Sequence, residues 1–370
     1  MTMSPSKPLQ VLVMAGGTGG HVFPALAVAE ELRTRGARIQ WLGTARGIET
    51  RLVPAANIPL HFISVEGVRG RGVMGLIKAP FLIIYAVLQS LQIIRQIKPD
   101  VVIGFGGFAS GPGGLAAALT RTPLVIHEQN AVAGTTNRLL ASVARRVLAA
   151  FPNAFIDRSE KDIHLVGNPV RQQIQQLDVT TTRYQARMDQ RLPLRLLILG
   201  GSLGAKAINE LVPEAVSHLP LSARPQIWHQ TGKSHAEATT ALYMQHQVNA
   251  KVDAFIDDMA AAYAWADLVI CRAGALTVSE LMMAGVASIL IPLPSAIDDH
   301  QTFNAKNLSD TGAGIALVQK DLTAAKLAAL LLTELADRAH LKSMAEKARE
   351  LAKPDSAREV ADICEEVARG

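Results

Sequence analysis

Val11-Leu12-Val13-Met14-Ala15-Gly16-Gly17-Thr18-Gly19-Gly20-His21 is the stretch that decides the fold. An apolar, strand-like run breaks on a cluster of glycines, and a helix-length segment, Pro24–Arg35, follows. Strand, glycine turn and helix in that order form the building unit of a parallel α/β sheet.

The alternation continues outward from this unit. Strands are expected at Ile39–Leu42, Val101–Ile103, Leu124–Ile126 and Arg146–Ala149. A second series starts at Leu194–Leu199 and continues through Gln226–Gln230, Lys251–Ala254, Leu268–Cys271 and Ser288–Ile291. The pattern predicts a doubly wound α/β chain with two Rossmann-like domains facing a central cleft, the place where such sheets gather ligands. Between the series, Gly167–Pro193 is polar, rich in Gln and Thr, and reads as a junction and not as core. The expected domains are residues 1–166 and 167–353. A C-terminal helix within 354–370 is expected to pack back on the first.

Bulk properties agree. At 370 residues and 49% hydrophobic, the chain is long for one core and suited to two. Aromatics are only 4%, whereas glycine and alanine are plentiful, as in helices packed closely on parallel sheets. Cys271 and Cys364 are far apart, with no CxxC or Cys/His cluster, which argues for a reducing compartment and against zinc. The first ten residues lack a secretory pattern. A net charge of +5 points to an anionic partner. No basic run interleaved with aromatics occurs, so phosphorylated metabolites or lipid head groups fit better than nucleic acid.

One segment departs from the soluble pattern. Gly75–Ile94 is apolar on nearly every face from Phe81 to Leu88. This continuous core is too short to span a bilayer, which takes about 20 such residues. Arg69, Arg71, Lys78, Arg95 and Lys98 flank it. It reads either as a buried helix or as a helix whose end enters a membrane interface, with Leu76, Lys78, Phe81, Ile84 and Tyr85 facing the lipid.

Three glycine-rich loops each follow a strand: Gly16–Gly20, Gly104–Gly114 and Gly200–Ala205. Glycine lets the backbone approach a ligand, and the helix N-terminus that follows favours negative charge, although tight turns need glycine for structural reasons too. No phosphate-loop GxxxxGK[ST] is present. Gly104-x-Gly106-x-x-Ala109 formally fits a dinucleotide fingerprint, with Glu128 at the spacing of a ribose-binding acid. Glu128 also lies within His127-Glu128-Gln129-Asn130, a polar cluster ending a strand, where α/β active sites collect their chemistry. In the second half, Arg272–Glu280 joins a strand to a helix, and Thr277-x-x-Glu280 has capping-box spacing.

Together these motifs resemble the MurG family of N-acetylglucosaminyltransferases. The matching pieces are GGTGGHVFPA (Gly16–Ala25), GFGGFASGP (Gly104–Pro112), HEQNAVAG (His127–Gly134) and GNPVR (Gly167–Arg171). They continue with GGSLGA (Gly200–Ala205), ALTVSE (Ala275–Glu280) and DDHQTFNA (Asp298–Ala305), in family order across nearly the whole chain. The resemblance implies the two-domain GT-B architecture and an inverting transfer from UDP-N-acetylglucosamine. The acceptor it implies is a polyprenyl-diphosphate-linked muramyl pentapeptide (lipid I), and the product lipid II of peptidoglycan synthesis. It implies donor contacts from Thr18, Gly19, Gly20, Asn130, Arg171, Ser202, Ile256, Ala275, Leu276, Thr277, Val278, Ser279, Glu280 and Gln301. His300 stands where some relatives have Gln, so the alignment is loosest there. It further implies a peripheral enzyme at the cytoplasmic face of the bacterial plasma membrane, touching an anionic membrane surface and other cell-wall synthesis proteins.

An inverting transfer needs a base near the acceptor hydroxyl and positive character near the leaving diphosphate. His21, at the end of the first glycine loop, is the expected base, histidine being the side chain that ordinarily exchanges its proton near neutral pH. Glu128 is the alternative base or an orienting partner. Helix N-termini after Ser202–Ala205 and at Ala275–Thr277, with Arg171, are expected to meet the diphosphate. Asp257-Asp258 and Asp298-Asp299 are adjacent pairs that do not converge on an ion, so neither a metal nor another cofactor is expected. Three competing readings remain open: a UDP-N-acetylglucosamine epimerase, a dinucleotide-dependent oxidoreductase built on Gly104–Ala109, and a non-catalytic sugar-nucleotide sensor.

Overall fold

A computed structural model describes residues 7–65, 72–155, 162–178, 180–189, 192–201 and 204–370, with the side chains of 72–79, 180–182, 188, 189 and 297 left out. The chain divides into two compact units, Met1–Arg171 with Lys353–Gly370, and Gln172–Ala352.

Unit 1 runs β1 (Gln10–Met14), α1 (Gly19–Thr34), β2 (Arg38–Gly43), α2 (Glu49–Ala55), β3 (Leu60–Phe62), α3 (Gly72–Ile97), β4 (Val101–Gly104), α4 (Ser110–Leu119), β5 (Leu124–Glu128), α5 (Thr135–Leu140), β6 (Arg146–Ala149) and β7 (Ile163–Leu165). Its sheet is parallel in the order β3-β2-β1-β4-β5-β6-β7, with Val11 opposite Ile39 on one side and Val101 on the other. Both faces are covered, which is why β1 is apolar at every position from Val11 to Met14. Val11 and Val13 pack with Val22, Ala25 and Val28 of α1, whereas Leu12 and Met14 pack with Ala116 and Ala117 of α4.

Unit 2 runs α6 (Gln172–Gln175), α7 (Thr180–Asp189), β8 (Arg195–Leu199), α8 (Lys206–Ser217), β9 (Gln226–Gln230), α9 (Ala236–Gln245), β10 (Lys251–Asp253), α10 (Met259–Trp265), β11 (Leu268–Cys271), α11 (Ala275–Ala284), β12 (Ala287–Leu290), α12 (His300–Ser309), β13 (Ile315–Ala316), α13 (Ala324–Ala336) and α14 (Arg338–Glu350). Its parallel order is β10-β9-β8-β11-β12-β13. The last helix, α15 (Ser356–Arg369), belongs to unit 1. There Val360, Ala361 and Cys364 enter the α1 side of the core, and Arg35 pairs with Asp362 at 2.5 Å.

Each unit is therefore a Rossmann-like sheet whose strand order reverses beside its first strand. The reversal falls between β1 and β4 in one unit and between β8 and β11 in the other. Crossovers leave in opposite directions at these points, opening a crevice at the carboxyl ends of the two strands. The glycine turns occupy those ends.

Three readings of the sequence need correction. Gly167–Pro193 is more than a junction: α7 contributes Tyr184, 3% exposed, to the unit 2 core. Arg187 Nε lies 2.7 Å from the buried Asp267 carboxylate, and Tyr184 Oη donates to the Asp267 carbonyl at 2.5 Å. Long side chains bury their apolar stems while their polar tips find partners, so the segment looks polar in sequence yet is core in space. The α1 helix starts at Gly19, five residues before the expected Pro24, because a proline in the second turn costs one backbone bond without stopping the helix. Finally, β3, β7 and β13 are missing from the expected strands: they are edge strands of two or three residues, partly exposed and too short to show a pattern.

Candidate active site

The turn after β1 is held from three directions. Gly17 has φ +87°, open to glycine at little cost, and its amide donates to Glu49 Oε2 at 2.9 Å. Gly19, Gly20 and His21 form the first turn of α1 behind Thr18, the N-cap residue, whose side chain makes no capping bond. Amides at the start of a helix have no carbonyl of their own helix to bond and remain available to a ligand. The β4 turn packs directly against this one. A Cβ on Gly107 would collide with the Gly16 carbonyl, and one on Gly106 would come within 3.0 Å of the His21 ring. Ser110 Oγ donates to the Gly106 carbonyl at 2.7 Å and fixes that turn in place.

At the end of β5, the side chains of the HEQN cluster divide their tasks. Glu128, 2% exposed, accepts four hydrogen bonds: from the Asn130 amide (2.9 Å), Asn130 Nδ2 (3.1 Å), the Gly134 amide (3.1 Å) and Asn137 Nδ2 (2.8 Å). Its carboxylate thus ties the Asn130–Gly134 loop to α5. Gln129 Oε1 lies 2.9 Å from His21 Nδ1, and Gln129 Nε2 lies 3.0 Å from both the Nδ1 and the carbonyl of His127. His127 Nε2 in turn lies 2.8 Å from the Gly167 carbonyl. Burial lowers the His127 pKa to about 4, so the ring is neutral. Arg171, the last residue of unit 1, places its guanidinium 4.9 Å from the centre of the Phe23 ring on α1. Unit 1 accordingly brings together Thr18, Gly19, Gly20 and His21, with Glu128, Asn130 and Arg171 on neighbouring elements.

Unit 2 repeats the arrangement with different chemistry. The turn after β8 carries Gly201 at φ +76°, and Gln230 clamps its backbone on both sides: Gly201 N donates to Gln230 Oε1 (3.1 Å), and Gln230 Nε2 donates to the Gly201 carbonyl (2.9 Å). Ser202 lies outside the described residues. After β11, Gly274 is the N-cap of α11 and no side chain caps it. Thr277 is therefore the third residue of the helix and not its cap, so the expected capping box does not form. Ala275, Leu276, Thr277 and Val278 make up the first turn; the Val278 amide donates to the Gly274 carbonyl at 2.9 Å, and the amides before it, at the positive end of the helix dipole, favour an anion. Ser279 bonds back to the Ala275 carbonyl at 3.0 Å, and Glu280, 4% exposed, accepts from Tyr263 Oη at 3.0 Å. Ile256 is buried beyond β10. Gln301 Oε1 accepts the Leu293 amide at 2.9 Å and closes the loop before α12. The sequence reading does not single out Glu49, Gln230 or Tyr263, and has Gln129 only as a member of the HEQN cluster. Position held the available clue: Gln230 ends β9, the strand beside the first strand of its sheet, and Glu49 opens α2, the helix that follows the corresponding strand β2.

The helix α3 carries a separate feature. Leu76 and Lys78 fall in its first turns, where side chains lie outside the described residues. From Pro80 onward the helix is apolar but mostly uncovered: Phe81 is 72% exposed, and Ile84, Tyr85 and Leu88 are more than half exposed. Ala86, Ser90 and Ile94 are buried against the unit. Pro80–Ile97 is long and apolar enough to cross a membrane by length and composition.

A glycine turn and a helix tip at the reversal point of each Rossmann-like unit form the framework on which α/β proteins bind nucleotides. The chain belongs to glycosyltransferase family 28: the model of the family's N-terminal domain matches residues 11–149, and that of its C-terminal domain matches residues 195–360. It is 68% identical, over 98% of its length and 100% of the relative's, to the UDP-N-acetylglucosamine--N-acetylmuramyl-(pentapeptide) pyrophosphoryl-undecaprenol N-acetylglucosamine transferase of Cellvibrio japonicus (strain Ueda107). The protein of the same name from Ectopseudomonas mendocina (strain ymp) is 56% identical, over 97% of this chain and 99% of its own. The crystal structure of Acinetobacter baumannii MurG superposes with a TM-score of 0.82 at 47% identity, covering 97% of this chain and 100% of that one. The resemblance read from the motifs is thus a family relationship, and the epimerase and oxidoreductase readings give way to it.

Proposed function

We propose that this chain transfers N-acetylglucosamine from UDP-N-acetylglucosamine to the 4-hydroxyl of the N-acetylmuramyl residue in undecaprenyl-pyrophosphoryl-N-acetylmuramyl pentapeptide, lipid I, making lipid II with inversion at the anomeric carbon. The observation that carries the reading is the 68% identity, end to end, with a relative whose name states that donor and acceptor. In the reaction, the acceptor hydroxyl oxygen forms a bond to the anomeric carbon as the bond from that carbon to the diphosphate oxygen breaks. UDP leaves with the electron pair, and the hydroxyl proton goes to His21. The α11 N-terminus and the Gly200–Gly201 turn receive the diphosphate, where fixed amides stabilise the charge that develops on it. Thr18, Gly19, Gly20, Asn130 and Arg171 complete the donor contacts, together with Ser202, Ile256, Glu280 and Gln301. Glu128 acts as an orienting residue, since four N–H groups already occupy its oxygens.

The exposed apolar stretch of α3 supports a peripheral position on the cytoplasmic face of the plasma membrane, where a polyprenyl substrate resides. The test of the function is incubation with UDP-N-acetylglucosamine and a short-chain lipid I analogue. A product heavier by one N-acetylhexosamine unit, β-linked by its anomeric coupling, is expected. Release of free sugar or of an epimer with no disaccharide would overturn the reading.

A further inference from the structure

The hydrogen-bond chain behind His21 ends on two groups whose direction is not open to choice. A backbone carbonyl only accepts. The Gln129 nitrogen must therefore be the atom 3.0 Å from the His127 carbonyl, because an amide oxygen there would face another acceptor. The same rule puts a proton on His127 Nε2, 2.8 Å from the Gly167 carbonyl. A neutral ring with its proton on Nε2 offers a lone pair at Nδ1, and Gln129 Nε2 donates to it at 3.0 Å. Two independent carbonyls thus impose one orientation on the Gln129 amide. Burial reinforces it: Gln129 and His127 are fully buried, and the Gln129 main chain is held by Asn168 Nδ2 at 3.0 Å.

With its nitrogen committed, Gln129 presents only its oxygen to His21 Nδ1, at 2.9 Å. We propose that Gln129, fixed by His127, is the positioning residue that holds the neutral His21 ring with its proton on Nδ1 and its lone pair on Nε2, so that the ring takes the sugar hydroxyl proton at Nε2. The proposal rests on the reading of His21 as base and adds which nitrogen reacts and what selects it. Among the described residues, Nε2 has no hydrogen-bond partner. As the hydroxyl oxygen bonds to the anomeric carbon, its proton moves to Nε2 and the ring becomes an imidazolium. Gln129 Oε1 still accepts from Nδ1–H and faces the new positive charge with the negative end of its dipole. After product leaves, Nε2 releases that proton to water and the starting tautomer returns. No oxidant, reductant or further reactant is needed.

The experiment is long-range ¹H–¹⁵N spectroscopy of the full chain labelled with ¹⁵N-histidine, His21 being assigned by its loss in His21→Ala. The wild type is expected to show a protonated Nδ1 and a bare Nε2 at neutral pH. Gln129→Met, similar in length but without an acceptor, should shift the ring toward the Nε2–H form. It should also lower kcat by about tenfold, less than loss of the base itself, with KM for UDP-N-acetylglucosamine unchanged. A wild-type ring protonated on Nε2, or a ring state untouched by Gln129→Met, overturns the proposal. If turnover is lost in His21→Ala while the wild-type ring is protonated on Nε2, the proposal alone falls and the base reading survives. If His21→Ala turns over normally, the base assignment falls and takes the proposal with it.

Discussion

Glu49 Oε2 accepts the amide proton of Gly17 at 2.9 Å, while its Oε1 accepts from the Thr44 amide (3.1 Å) and the Thr44 hydroxyl (2.9 Å). The carboxylate is fully buried, and room for the side chain is made by glycine: a Cβ on Gly16 or Gly47 would overlap the carboxylate, and one on Gly43 the Cγ behind it. One side chain from the start of α2 thereby fixes the turn that carries Thr18 and His21. In Glu49→Gln the amide has a single acceptor oxygen. Whichever way it sits, the Gly17 or the Thr44 amide loses its partner. An orphaned buried amide costs about 1–3 kcal/mol, so urea unfolding should show a loss of that size and turnover should fall with it. Thr44→Val removes only the hydroxyl and should cost about 1 kcal/mol. Equal stabilities for Glu49→Gln and the parent would show that the turn stands without this brace.

Gln230 performs the corresponding task for Gly201, but with a neutral amide that both donates and accepts. The difference fits the diphosphate proposed for that turn, since a carboxylate at the same place would repel it. Gln230→Leu keeps most of the volume and removes both bonds. UDP affinity measured by calorimetry should then weaken by about tenfold, equivalent to about 1.4 kcal/mol. An unchanged dissociation constant would mean that the turn is ordered without Gln230.

The strands that carry these turns were legible because each is buried on both faces. Val11–Met14, Val101–Ile103 and Leu268–Cys271 have no polar residue to hide the pattern, and a glycine follows each within three residues. The edges β3, β7 and β13 were not, because two or three residues with a single partner strand are too few to set up a pattern. At the candidate site, glycine turns and the HEQN cluster stood out by composition. Which member does what did not: Glu128 and Gln129 are neighbours in sequence, yet their side chains serve opposite ends of the network. Bracing residues such as Glu49 and Gln230 act across the sheet from distant positions. The register of β9 beside β8 brings Gln230 to its turn, and the start of α2, after β2, brings Glu49 to the other.

The exposed half of α3 predicts a separation of membrane binding from chemistry. Phe81 is 72% exposed and takes no part in either glycine turn. Phe81→Asp puts a charge into the apolar face and should weaken sedimentation with phosphatidylglycerol-containing vesicles, while UDP binding stays at the wild-type level. Lys78→Glu should act in the same direction and be relieved by salt, as an electrostatic contribution would be. Vesicle binding equal to wild type in both variants would remove α3 from the membrane contact.

Acid sensitivity follows from two buried histidines. His127 is held neutral by burial, with its pKa lowered to about 4, and burial lowers that of His229 to about 3. His229 bonds Tyr243 Oη through Nδ1 (2.9 Å) and Asn209 Oδ1 through Nε2 (3.1 Å). In the unfolded chain both rings titrate at about 6.5. Below that pH the unfolded state binds protons that the folded state excludes, so acid favours unfolding. The stability is complete above about pH 6.5 and declines as pH falls toward the folded-state values. Once the unfolded rings are fully charged, each contributes a slope of about 1.4 kcal/mol per pH unit. Unfolding free energies from urea titrations at pH 7 and pH 5 should therefore decrease in the wild type. In His229→Gln the decrease should be shallower by nearly one such slope for unit 2, although the variant begins less stable. Parallel pH dependences for the two proteins would mean that His229 takes up its proton without unfolding the chain, and that its neutral state is not what the surrounding core enforces.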